Sequence, residues 1–191
     1  MRLRYLCAAM VLSGCTFMGS AQMGSTSAKV APGTQMSPVE AQDELLNRFQ
    51  EEFMGVAKAM PADKYAFAPP STNGAKYDGV RTFAQEVSHV TLANYYFASK
   101  ILGEKMPVDG KAIQGLTSKD DLLKAAAASF DYAHKALASI TPDNAYVAID
   151  GVDGLHSRSV IASFISAHGY DHYGQMVEYL RMNGIVPPGS K

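Results

Sequence analysis

Tryptophan is absent from this chain, and cysteine occurs only at Cys7 and Cys15. With both cysteines so near the N-terminus, the rest of the sequence can hold no disulfide framework, thiolate nucleophile or cysteine metal ligand. Concentrated charge is also missing. There are 17 Lys and Arg against 18 Asp and Glu, for a net charge of −1, and no basic block. That argues against nucleic acid as a constitutive partner. What is present is ordinary globular composition: 191 residues, 47% hydrophobic and 18% charged. Such a chain can bury a core and suits one domain with extensions.

The N-terminus reads as an address. MRLR is a basic segment, and YLCAAMVLSG is an apolar run too short to span a bilayer stably, so residues 1–21 are expected to be an export signal. Two cleavage readings compete. LSGC, Leu12 to Cys15, has the form of a bacterial lipobox, with Cys15 becoming a lipidated first residue; GSA, Gly19 to Ala21, suits ordinary cleavage before Gln22. The lipobox is favoured because it explains the cysteine. The expected location is therefore outside the cytoplasm, in the periplasm or anchored in the cell envelope. Either cut removes Arg2 and Arg4, leaving 15 basic against 18 acidic residues and a charge of −3.

Residues 22–36, rich in Gly, Ser, Thr and Ala, read as a flexible linker. Residues 37–188 then carry four amphipathic helical patterns. SPVE, Ser37 to Glu40, is a capping box opening the first helix, which runs to about Met60 with Leu45, Phe49, Phe53, Val56 and Met60 as its apolar stripe. Met60 to Tyr77 breaks the period with three prolines and a glycine. The second helix is expected over Tyr77 to Leu102, with Val80, Phe83, Val87, Val90, Asn94, Phe97 and Ile101 buried. Ser118 caps the third, whose face is Leu122, Leu123, Ala126, Phe130, Ala133 and Leu137. After a link at Thr141 to Ser157 the fourth runs to about Asn183, where Gly184 signals its end. Only AYVAID, Ala145 to Asp150, has any strand character. The expected fold class is all-α, a four-helix bundle.

Chemistry concentrates in histidine. His168 and His172 extend the inward Phe164 row of the fourth helix at steps of four, so both imidazoles leave one face a turn apart. Two such rings can converge on one ion, with nitrogen–metal distances of about 2.0–2.1 Å for zinc. The intervening residues are Gly-Tyr-Asp, so the general-base glutamate of the HExxH protease helix is missing and that activity is excluded. His89, about 100° round the second helix from Val90, is the candidate third ligand. His134 and His156 have no partner at ligand spacing. The competing reading is that the paired histidines are hydrogen-bonded core residues.

Three segments carry a resemblance: MPADKYAFAP at Met60 to Pro69, VRTFAQEVSHVTLANYYF around His89, and HGYDHYGQMVEYLRMNGIVPP at His168 to Pro188. The chain from about Ala41 to Pro188 resembles the DinB family, the damage-inducible four-helix bundles related to YfiT-type metal-dependent proteins. The resemblance implies an up-down-down-up bundle, often a homodimer. It also implies a divalent metal (zinc, nickel, iron or manganese) held by His89, His168 and His172, with water at the remaining positions.

Three imidazoles with open positions form a catalytic type of site. The metal would lower the pKa of bound water, polarise a carbonyl or ionise a thiol. Glu86, one turn before His89, is expected to orient that ring. Asp171 is expected to be a solvated helix charge. Tyr95, Tyr96, Tyr170 and Tyr173 are pocket-edge or core candidates. Gly169 and Gly174, costly inside a helix, suggest close approach of a neighbour. Three functions stay open: an envelope metal-dependent hydrolase or thiol-type transferase acting on a small-molecule substrate, a metal- or ligand-binding protein without turnover, and an interaction protein using the metal as structural glue.

Overall fold

The computed structural model describes residues 30–71 and 78–190. The expected export signal and most of the expected linker lie outside the described residues. The chain divides after Thr34, and the helical unit is Gln35–Lys191. Of the leading unit, the described part is a turn in which the Thr34 N–H donates to the Ala31 carbonyl at 3.1 Å.

The helical unit contains α1 (Pro38–Ala59), α2 (Phe83–Leu102), a short α3 (Gly110–Gln114), α4 (Lys119–Ala138), a hairpin of β1 (Ala148–Val152) and β2 (Leu155–Ser157), and α5 (Arg158–Met182). The long helices start where the sequence offers side-chain caps. Ser37 and Glu40 form the capping box of α1, Thr82 and Gln85 that of α2, and Ser118 and Ser157 cap α4 and α5. Each cap satisfies N–H groups that have no partner inside the helix.

Both α1 and α2 pack on α4 and on α5, so the order round the bundle is α1–α4–α2–α5, with α1 opposite α2. At the centre Phe49, Phe53 and Phe130 are fully buried and meet at ring-centroid distances of 5.4 to 5.8 Å. Contacts of this kind favour tilted and edge-to-face rings. The all-α expectation holds, with three local corrections. The second helix starts at Phe83, not Tyr77, and Val80 is exposed outside it. In α1 the buried leucine is Leu46, while Leu45 is exposed. AYVAID supplies part of a real strand: β1 pairs antiparallel with β2 through a two-residue turn, Asp153–Gly154, both at positive φ, the backbone of a tight hairpin.

The connection after α1 fixes the start of α2. The carbonyls of Phe67 and Tyr65 accept the N–H groups of Phe83 and Ala84, each at 2.8 Å. Tyr65 is anchored in turn by its hydroxyl, which donates to the Ala57 carbonyl at 2.7 Å. From the other side, the Tyr179 hydroxyl of α5 donates to the Arg81 carbonyl at 3.0 Å. Arg81, just before the α2 cap, and the first turns of α2, which carry Glu86 and His89, are thus held by α1, the connection and α5 together.

Candidate metal centre

Helical spacing builds the site from two sides. Glu86 and His89 stand three residues apart on α2, and His168 and His172 four apart on α5, so each pair leaves one face of its helix. Because α2 packs on α5, the two pairs meet. The ligand nitrogens of His89, His168 and His172 lie within 4.8 Å of one another. Their ring centroids are 4.5 to 5.2 Å apart. His172 is buried, and the other two are partly exposed.

The separations suit a shared cation. Two nitrogens each about 2.1 Å from a zinc ion at a tetrahedral angle stand about 3.4 Å apart. His89 Nε2 and His168 Nε2 are 3.3 Å apart.

Glu86 is the group that gives the cluster its chemistry. It is 1% exposed, and its Oε2 lies 2.7 Å from His172 Nδ1. A carboxylate accepting the Nδ1–H leaves the His172 Nε2 lone pair free for a ligand. The expected partner was His89. The structure gives Glu86 to His172 instead, because i and i+3 side chains on one helix run parallel to each other and both reach toward α5. Glu86 and His172 thus form a hydrogen-bonded pair almost wholly removed from solvent.

Both partly exposed histidines resist protonation. Burial, reinforced by the Arg81 charge, pushes His89 down to about 4. Burial and then the neighbouring His172 hold His168 below the ordinary histidine value. Each is therefore neutral, in its ligand form, at neutral pH. Neutral nitrogens grouped above a buried carboxylate are a donor set that fits a divalent cation.

Two clefts open beside His89. One, of about 460 Å³, is lined by Arg81, Gln85, Ser88 and Gln114 with His89. The other, of about 390 Å³, is lined by Leu92, Tyr96, Phe97 and Phe164 with His89 and His168. Phe97 meets the His168 ring edge to face at 5.4 Å.

This pattern of helices and histidines agrees with a family comparison. The DinB superfamily model matches residues 45–176, a span that holds all three histidines. The chain belongs to the DinB superfamily. A solved DinB-like protein from Bacillus cereus ATCC 10987 shares the DinB fold with a TM-score of 0.64. Its identity is 18%, over 78% of this chain and 95% of that one. No curated protein matches the chain significantly.

The other candidates in this DinB chain fall elsewhere. His134 is taken up by α1, with Nδ1 2.6 Å from Asp43 Oδ1 and Nε2 2.8 Å from Gln50 Oε1. His156 and Asp171 are exposed. Of the four tyrosines, Tyr96 edges the cleft beside His89. Tyr95 packs on Tyr132, and Tyr170 packs on Phe49 and Tyr173. Gly169 is needed because a Cβ there would stand 2.1 Å from the Phe49 ring, whereas one at Gly174 meets nothing within 4 Å. Sequence reasoning missed Arg81. Its only signal was a lone cation one residue before the α2 cap.

Proposed function

We propose that this protein binds one divalent metal ion through His89, His168 and His172 and uses it on a small molecule held in the adjoining clefts. The observation that carries the reading is the Glu86–His172 contact. It spends a buried carboxylate on presenting one imidazole nitrogen toward two others that are kept neutral. When bound, such a metal supplies Lewis-acid and water- or thiol-activating chemistry, which suits hydrolysis or group transfer. Zinc, nickel, iron and manganese all accept this donor set.

The protein's own residues have distinct tasks. Glu86 orients His172. The Phe97 and Phe164 rings, packed on His168, restrict its rotation and water access. Arg81 sets the sign of the field at the cleft. The leader and linker, residues 1–36, support a place of action in the cell envelope, with Cys15 as a lipid anchor.

A second reading, metal binding without turnover, draws on one observation. Glu86 is committed to His172, and among the described residues the one carboxylate lining a cleft beside His89 is Asp153. A general base is therefore scarce. The test is turnover of activated esters, amides and thiol acceptors by the metal-loaded protein against its His172→Ala variant. Turnover lost in the variant establishes the enzyme. Stoichiometric metal without turnover of any class establishes the binding protein.

A further inference from the structure

The two clefts that meet at His89 differ in chemistry. In the first, Arg81 is the one formal charge among the described lining residues. Its guanidinium makes no ion pair among the described residues. The Gln85 side-chain oxygen accepts the Thr82 N–H at 2.8 Å, which leaves the Gln85 NH₂ as a second donor. No carboxylate is among the described residues that line this cleft. The second cleft is walled by Leu92, Tyr96, Phe97, Met106 and Phe164, and its carboxylate, Asp153, is exposed. An anion is thus drawn to the Arg81 side, and apolar surface is offered on the other.

We propose that the molecule received here is a small anion with an apolar or aromatic tail. Its carboxylate or phosphate-like group sits on Arg81 and Gln85, its tail lies against Tyr96, Phe97 and Phe164, and its middle passes His89. This deepens the metal-centre reading but rests on it only for what happens at the middle of the ligand. The anion and tail subsites stand on residues outside the histidine triad. Arginine suits the head group because its planar fork of donors matches two oxygens at once.

The test uses 4-phenylbutyrate, its neutral amide 4-phenylbutyramide, and butyrate as probes. Each is titrated calorimetrically into the full chain, both metal-free and zinc-loaded. The acid is expected to bind at least about tenfold more tightly than the amide, the worth of one charge-assisted contact, and more tightly than butyrate. Arg81→Met should remove the acid-over-amide preference in both forms, while Arg81→Lys keeps part of it. Phe164→Ala should weaken the acid and leave the preference intact. Unchanged melting temperatures confirm that each variant is folded.

The proposal is overturned if Arg81→Met keeps the preference, if the wild type shows none, or if the preference vanishes on metal removal yet ignores Arg81→Met. The last outcome would assign the anion to the metal. A protein that takes up no metal but prefers the acid through Arg81 leaves this inference standing and removes the metal reading.

Discussion

Replacing Glu86 by glutamine tests whether the buried carboxylate tunes the metal ligands or only fills space. Glu86 is 1% exposed and contacts His172 Nδ1 at 2.7 Å. The glutamine carbonyl can still accept the Nδ1–H, so the His172 tautomer and ring position survive. What disappears is the negative charge that raises the basicity of Nε2 and offsets the charge of an incoming cation. Loss of such a partner lowers metal affinity by about 10- to 100-fold, or about 1.4–2.7 kcal/mol. The metal-free protein should not suffer in the same way. A neutral amide is easier to bury than a carboxylate, so unfolding stability should stay within about 1 kcal/mol of wild type or rise. The assay pairs a chelator competition for zinc with urea denaturation of the metal-free form. Affinity within threefold of wild type, in a normally folded variant, would refute the assigned role of Glu86. A large loss of metal-free stability would refute the burial argument.

Other consequences are equally direct. Gly169→Ala pushes a Cβ to within 2.1 Å of the fully buried Phe49 ring and should destabilise the fold by about 1–3 kcal/mol. Gly174→Ala meets nothing within 4 Å and should stabilise it by about 0.5–1 kcal/mol; thermal unfolding that moves both the same way contradicts the packing of α1 on α5. In the metal-free protein His89, held down to about 4, stays neutral while the unfolded chain takes up a proton below about 6.5. Its contribution is therefore complete above pH 6.5 and is lost as pH falls toward 4, worth about 1–2 kcal/mol once its partial exposure is allowed for. Denaturation at pH 7 and pH 4.5 should show a smaller loss in His89→Asn than in wild type, and equal losses would remove the argument.

Much of this was legible in the sequence because local rules and the fold agree. Ser37, Ser118 and Gly184 marked helix ends through backbone chemistry that needs no tertiary context. The periodicity of α2, α4 and α5 set their buried faces and put His168 and His172 on one of them, while the family resemblance joined His89 to the pair. Failures occurred where two local solutions were equivalent. Leu45 and Leu46 both lie at helical spacing to Phe49, and only the packing of α1 on its neighbours selects Leu46. Val80 extended the apolar pattern of α2 backward, while the true start was written in Thr82 and Gln85, a second capping box. The Asp153–Gly154 turn was a hairpin signal, hidden by the shortness of the strands beside it. The partner of Glu86 belongs to the meeting of two helices and has no trace along either one.

The central claim is most directly tested by counting metal. The protein, purified from its native source without added metal, should carry about one divalent transition-metal ion per chain by elemental analysis. His168→Ala and His172→Ala, each still folded, should carry almost none. A wild-type protein with only traces of metal, whose melting temperature added zinc, nickel, iron or manganese fails to raise, would contradict the three-histidine centre.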